Sequence, residues 1–108
     1  MIYKLVSSDT APQIKATITR DDDDSVVDMS GATVLLKFRA KNTSTVLFTL
    51  TSLDNGTDLE NGIAIFVFNA GDLDIPGGMY EGEIEITYSI GIKETIYEIL
   101  EFNVRNDF

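Results

Sequence analysis

The sequence predicts an all-β fold, an antiparallel sandwich of about seven or eight short strands. Three observations point there. No stretch longer than about eight residues carries a helical period. Clusters of turn-forming residues recur roughly every 8–15 residues. In residues 72–88 a Pro76-Gly77-Gly78 turn feeds into a strictly alternating run, with Tyr80, Gly82, Ile84, Ile86 and Tyr88 in one phase and Glu81, Glu83, Glu85 and Thr87 in the other. Successive side chains change faces only in extended chain, so this is a strand with one buried and one solvated face.

The spacing Gly78-x-Tyr80-x-Gly82 narrows the class. It matches the tyrosine corner of immunoglobulin-like sandwiches, in which a tyrosine sits two residues before an inward core position. Here that position, a cysteine in antibody domains, is Gly82. The expected fold is an immunoglobulin-like antiparallel β-sandwich, with Gly78, Tyr80 and Gly82 as its structural residues. The Tyr80 hydroxyl should be buried and donate to backbone near residues 71–77. Phe38 or Phe68 should fill the core opposite Gly82.

The other elements follow in order. Residues 2–6 read as a short extended segment. Ile14, Ala16 and Ile18 alternate with Lys15, Thr17 and Thr19, giving a half-buried strand over about 13–20. Asp21, Asp22, Asp23 and Asp24 end it, because four adjacent carboxylates can be neither paired nor buried. Residues 27–31 make a brief apolar touch and a turn. In residues 33–39, Val34, Leu36 and Phe38 point inward and Thr33, Lys37 and Arg39 outward, while Leu35 interrupts the polar face. After a polar turn, Val46, Phe48 and Leu50 alternate with Leu47, Thr49 and Thr51. Residues 54–62 form a long turn in which Gly56 and Gly62 can take positive φ. Residues 62–68 are apolar in both phases, as in a strand covered on both faces or lining a partner surface. Residues 89–93, around Gly91, read as a hairpin turn. In the last strand, about 93–104, Ile96, Leu100, Phe102 and Val104 share a phase that Tyr97 and Ile99 break. That conflict requires a bulge or bend near Glu98. Without a repeat or linker, residues 1–108 read as one domain.

Composition bounds the function. The chain has 108 residues, 44% of them apolar and 9% aromatic, which suits one modest globular core. Eighteen acids against eight bases give a formal charge of −10. That opposes nucleic-acid binding, which needs a basic surface to displace counterions, and opposes docking on anionic lipid. It fits a soluble protein awaiting a specific partner. Cysteine and histidine are both missing, which removes disulfides, thiolate metal sites and the usual general base at neutral pH. The N-terminus lacks the apolar core of a signal peptide, and no window approaches the roughly 18 apolar residues of a membrane span. Synthesis in the cytoplasm is expected.

Three acidic groupings could suggest chemistry. Asp21–Asp24 with Asp28 lacks the alternate spacing and the glycine of a calcium loop. Asp54, Asp58 and Glu60, with Asn55 and Asn61, read better as turn-forming side chains. Glu81, Glu83 and Glu85 lie about 6.5–7 Å apart on one strand face, a separation a glycosidase could use. Such an acid needs burial and a sugar-stacking platform, and the chain has no tryptophan. In this topology Lys37 or Arg39 should instead pair across strands with Glu83 or Glu85. The chain is read as a non-enzyme without metal or cofactor. Its functional signal is exposed apolar surface: Leu35 and Leu47 on faces that should be wet, and Ile63, Ile65 and Val67 in the strand apolar on both sides.

In the order of its motifs the chain resembles the immunoglobulin-like domain of bacteriophage tail proteins, specifically the N-terminal domain of the baseplate upper protein family. The pattern starts with Asp9-x-x-Pro12 before residues 14–20 and continues through residues 27–34 to Phe38-Arg39. Gly62, Phe66 and Phe68 follow, then Gly71-Asp72-Leu73 and Pro76-x-Gly78-x-Tyr80. It closes with Glu83-Ile84-x-Ile86-Thr87, Gly91 before Thr95, and Phe102-x-Val104. Phe68 stands where family members often carry tryptophan. The resemblance implies an assembly adaptor in the virion that docks on other virion proteins of the tail or baseplate and is oligomeric in the assembly. It implies no catalytic residue. The chain ends where the family's domain ends, which leaves open a capsid decoration or a head or neck fibre-anchoring protein of the same fold. A carbohydrate- or peptide-binding module of a bacterial surface is the other alternative; it predicts an aromatic patch in a concave site, so Tyr3, Tyr88 and Tyr97 clustered in solvent would favour it.

Overall fold

A computed structural model describes residues 2–20, 22–53 and 57–108. Among the described residues the strands are β1 (Ile2–Val6), β2 (Gln13–Thr17), β3 (Thr33–Ala40), β4 (Phe48–Thr51), β5 (Ile63–Val67), β6 (Gly78–Thr87), β7 (Lys93–Thr95) and β8 (Leu100–Arg105), and there is no helix. The larger sheet runs β1-β8-β6-β3-β4, with β7 also on β6, and the smaller pairs β2 with β5. Every pairing is antiparallel except β1 with β8. This is an immunoglobulin-like sandwich. β2 and β5 take the places of strands B and E, while β3, β6 and β7–β8 take those of C, F and G.

The two inner faces meet in an aromatic core. Phe38, Phe66 and Phe102 are fully buried. The Phe38 ring lies 4.6 Å from Phe48, 4.9 Å from Phe102 and 5.3 Å from Tyr80, centroid to centroid. Each such ring removes about 150–250 Å² from water, so this cluster dominates the apolar burial available to so short a chain. Tyr80 is 6% exposed, and its hydroxyl donates to the Pro76 carbonyl at 2.6 Å. Opposite Gly82 the space is filled by Leu36 and Phe102, where the sequence reading placed Phe38 or Phe68. Phe38 is the register partner of Gly82 on β3, so its side chain lies alongside that position and packs on Phe102.

The loops close the ends of the sandwich. Arg20 donates to Ser25 and Val27 to Ile18, so residues 19–20 and 22–26 form an acidic hairpin tip; Asp21 lies outside the described residues. Met29 donates to the Leu59 carbonyl, and both side chains are buried although each stands in a polar stretch. Gly62 has φ +76°, and a Cβ there would sit 2.7 Å from the Ile18 carbonyl oxygen, so glycine is required. Gly56, Asp54 and Asn55 lie outside the described residues. Val46 is exposed and precedes β4, contrary to the inward position its phase suggested.

The last strand is broken where the phase conflict falls. Glu85 pairs with Thr95 and Gly82 with Leu100, so Glu83 and Ile84 of β6 face residues 96–99. Ile96 still donates to the Ile84 carbonyl at 2.9 Å, and the surplus residues bulge outward. Tyr97 is consequently 93% exposed.

Candidate protein-interaction surface

The outer face of the small sheet follows from strict alternation. Ile14, Ala16, Ala64 and Phe66 point into the core, which turns Gln13, Lys15 and Thr17 of β2 and Ile63, Ile65 and Val67 of β5 outward. The register sets Thr17 beside Ile63, Lys15 beside Ile65 and Gln13 beside Val67. The three apolar side chains are half-buried and form one stripe. Exposed Leu53 extends this surface along the edge of β5, donating its N–H to the Ile65 carbonyl at 2.8 Å. One side of this face is therefore apolar and the other polar.

Leu35 and Leu47 lie across the sandwich, on the large sheet. Leu35 is half-buried where a wet position was expected. It stands on a central strand, in register with Thr51 of β4 on one side and Glu85 of β6 on the other. Leu47 is 47% exposed just before β4, and its N–H donates to the Phe38 carbonyl at 2.7 Å. The interaction candidates thus divide into a stripe of three and two separate leucines.

The glutamate face of β6 is drier than its alternation suggested. Glu85 is only 9% exposed. Its carboxylate takes the Lys37 ammonium at 2.8 Å and the Lys93 ammonium at 3.8 Å. Register places Lys37 opposite Glu83, so the pair with Glu85 is diagonal. Arg39 pairs with Glu81, its direct neighbour, at 3.3 Å. The Lys37 hydrogen bond holds the Glu85 carboxyl below the usual carboxylate range, and Glu85 correspondingly raises Lys37. A shallow hollow over this face is lined by Lys37, Arg39, Val46, Glu81, Glu83 and Ile99. A general acid at neutral pH needs a raised carboxyl, and the best-buried member of this ladder moves the other way.

Two carboxylates of the acidic loops, Asp23 and Asp28, are engaged locally. Asp23 Oδ1 accepts from the Ser25 N–H and hydroxyl at 3.0 and 2.7 Å, and Asp28 Oδ1 from those of Ser30 at 2.9 and 2.6 Å. The serine hydroxyls, then the N–H groups, lower both carboxyls. Asn61 donates to the Thr57 carbonyl at 2.9 Å. Among the described residues no three acidic side chains converge as metal ligands. The tyrosines are dispersed in role: Tyr3 stacks on Phe102, Tyr88 is half-buried and donates to Glu94, and Tyr97 stands in solvent.

Sequence reasoning missed a cleft between β2 and the bulged strand, lined by Ala16, Ile18, Ile84, Ile96 and Leu100 with Glu98 at its rim. Its one sequence signal was the phase conflict around Glu98.

No family model matches the chain, and no curated protein does. Solved structures do. The fold is similar to the N-terminal domain of phage TP901-1 ORF48, with a TM-score of 0.67 and 17% identity, covering 97% of this chain and 85% of that one. It is also similar to CopC from Methylosinus trichosporium OB3b, with a TM-score of 0.51 and 10% identity, covering 96% and 85%. At these identities the likeness is one of fold, and the immunoglobulin-like sandwich read from the tyrosine corner is a fold this chain shares with a phage protein domain.

Proposed function

We propose that the chain is a non-enzymatic structural module of a bacteriophage virion, an adaptor that docks onto tail or baseplate components during assembly. The observation that carries this reading is the likeness of fold to the phage ORF48 N-terminal domain across 97% of the chain. The order of motifs from Asp9 to Val104, which resembles the baseplate upper protein family, supports it independently of the fold. On this reading residues 1–108 act as one unit, made in the host cytoplasm and ending in the particle. The stripe of Ile63, Ile65 and Val67 is the docking surface, because apolar side chains aligned on an outer sheet face gain most by being covered. Glu81 and Glu85, held in ion pairs, serve the scaffold.

The test is incorporation into particles. Ile65→Lys keeps its stem on the sheet and lifts its charge into water, so folding should change by no more than about 1 kcal/mol. Mass spectrometry of purified virions should find the wild-type chain and at least tenfold less of the variant. Absence of the wild-type chain from particles would overturn the virion reading. Equal incorporation of Ile65→Lys and of Val67→Lys would overturn the assignment of the surface.

A further inference from the structure

We infer that the cleft between β2 and the bulged β7–β8 strand receives an extended segment of a partner protein, which adds to the free edge of β2 as an extra strand. In immunoglobulin-like sandwiches the B strand lies between A and E. Here β2 has β5 on one side, and among the described residues no strand pairs with its other side, because β1 is committed to β8. The place of strand A is open.

The backbone there is set for pairing. Ile18 donates to Gly62 and accepts from Val27, and Arg20 donates to Ser25, so these groups face β5 and its hairpin neighbour. The alternate residues Lys15, Thr17 and Thr19 turn their N–H and C=O groups the opposite way. The Tyr3 hydroxyl, donating to the Lys15 carbonyl at 3.2 Å, marks that direction. Beyond it, residues 16–20 span about 16 Å of edge at roughly 3.3 Å per residue. The facing edge of β7 is three residues long and ends in the bulge, a feature that blunts pairing, so β2 is the acceptor.

The floor and rim describe the occupant. Two adjoining hollows of about 310 and 400 Å³ share Ile18, Thr19, Ile96 and Glu98. Their apolar floor suits a strand with small or branched apolar residues at alternate positions, as in recognition by β-strand addition. Asp22, Glu94 and Glu98 line the rim against Arg20 alone, with Asp23 and Asp24 next along the chain. Lysine or arginine flanking the apolar residues therefore complements the site. A second copy of the chain, itself carrying −10, does not.

The experiment uses the purified full chain, without particles, so its outcome is independent of the virion reading. The probe is a synthetic nine-residue peptide alternating threonine with valine or isoleucine, with lysines at both ends. Binding should slow hydrogen exchange of the Thr17 and Thr19 amides at least tenfold and leave the β4 edge unchanged. Replacing the peptide's lysines by glutamate should weaken binding at least tenfold. The Thr17 N–H points to the side of β2 on which, among the described residues, no strand pairs, so Thr17→Pro should melt like wild type and lose the peptide. Thr19→Pro is a second variant with the same expected loss, and the wild-type exchange pattern needs neither. Protection at β4 instead of β2, no protection at millimolar peptide, or full binding by a folded Thr17→Pro would overturn the inference. So would concentration-dependent protection of Thr17 and Thr19 in the chain alone, which would make the occupant a second copy.

Discussion

Replacing Gly82 with alanine tests whether the core has closed around the missing side chain of the tyrosine corner. Gly82 lies within β6, in register with Phe38 on one side and Leu100 on the other. An added Cβ would sit 2.7 Å from Leu36 Cδ1 and 2.9 Å from Phe102 Cε2. Both neighbours are wholly buried, so neither can swing into water. Overpacking of this kind costs about 1–3 kcal/mol, while losing glycine's freedom in the unfolded chain returns about 0.4–1 kcal/mol. The net expectation is a loss of about 0.5–2 kcal/mol, or roughly 3–12 °C in melting temperature for a domain near 100 residues. Urea unfolding at neutral pH measures it directly, provided the denaturant slope is unchanged. A double-mutant cycle with Phe102→Leu locates the strain. The smaller side chain relieves the 2.9 Å contact and leaves the one with Leu36, so the pair should lose less than the sum of the single changes, by about 0.5–1 kcal/mol. A Gly82→Ala protein as stable as wild type, or strictly additive changes, would refute the close packing inferred around Gly82.

Two further substitutions address the corner and the covered ion pair. Tyr80→Phe removes the 2.6 Å bond to the Pro76 carbonyl, which is exposed enough to regain water; urea unfolding should show a loss of about 1 kcal/mol, and no loss would make that bond incidental. Glu85 is depressed below its ordinary 4.5, so its contribution is present above that value and lost as pH falls through the folded pKa; Lys37, raised above 10.5, loses its contribution as pH rises through its own folded pKa. Stability measured against pH should therefore fall less steeply on the acid side in Glu85→Gln than in wild type, and identical acid limbs would show the pair to be silent.

What could be read from the sequence was what a local period encodes. The β6 alternation and the Tyr80 corner need only neighbouring residues to be recognised, and both stand in the fold. The stripe of Ile63, Ile65 and Val67 was legible for the same reason, since apolar residues in both phases of a strand leave one set outside the core. Phase does not report what lies across a sheet. Glu85 has the phase of a wet residue, yet its position between β3 and β7 brings Lys37 and Lys93 over it. Met29 and Leu59 enter the core singly from polar loops, where there is no period to read. The cleft was the least legible feature because it depends on a choice between two sheets. Residues 2–6 carry the same alternation whether they pair with β2 or with β8, and the pairing with β8 is what leaves Thr17 and Thr19 uncovered. The surplus residues at 96–99 interrupt the opposite wall, so neither sheet closes over the half-buried Ile96 beside Ile18. A long-range pairing and a local insertion thus combine to leave an apolar floor beside a regular, unpaired strand edge, the arrangement an incoming strand requires.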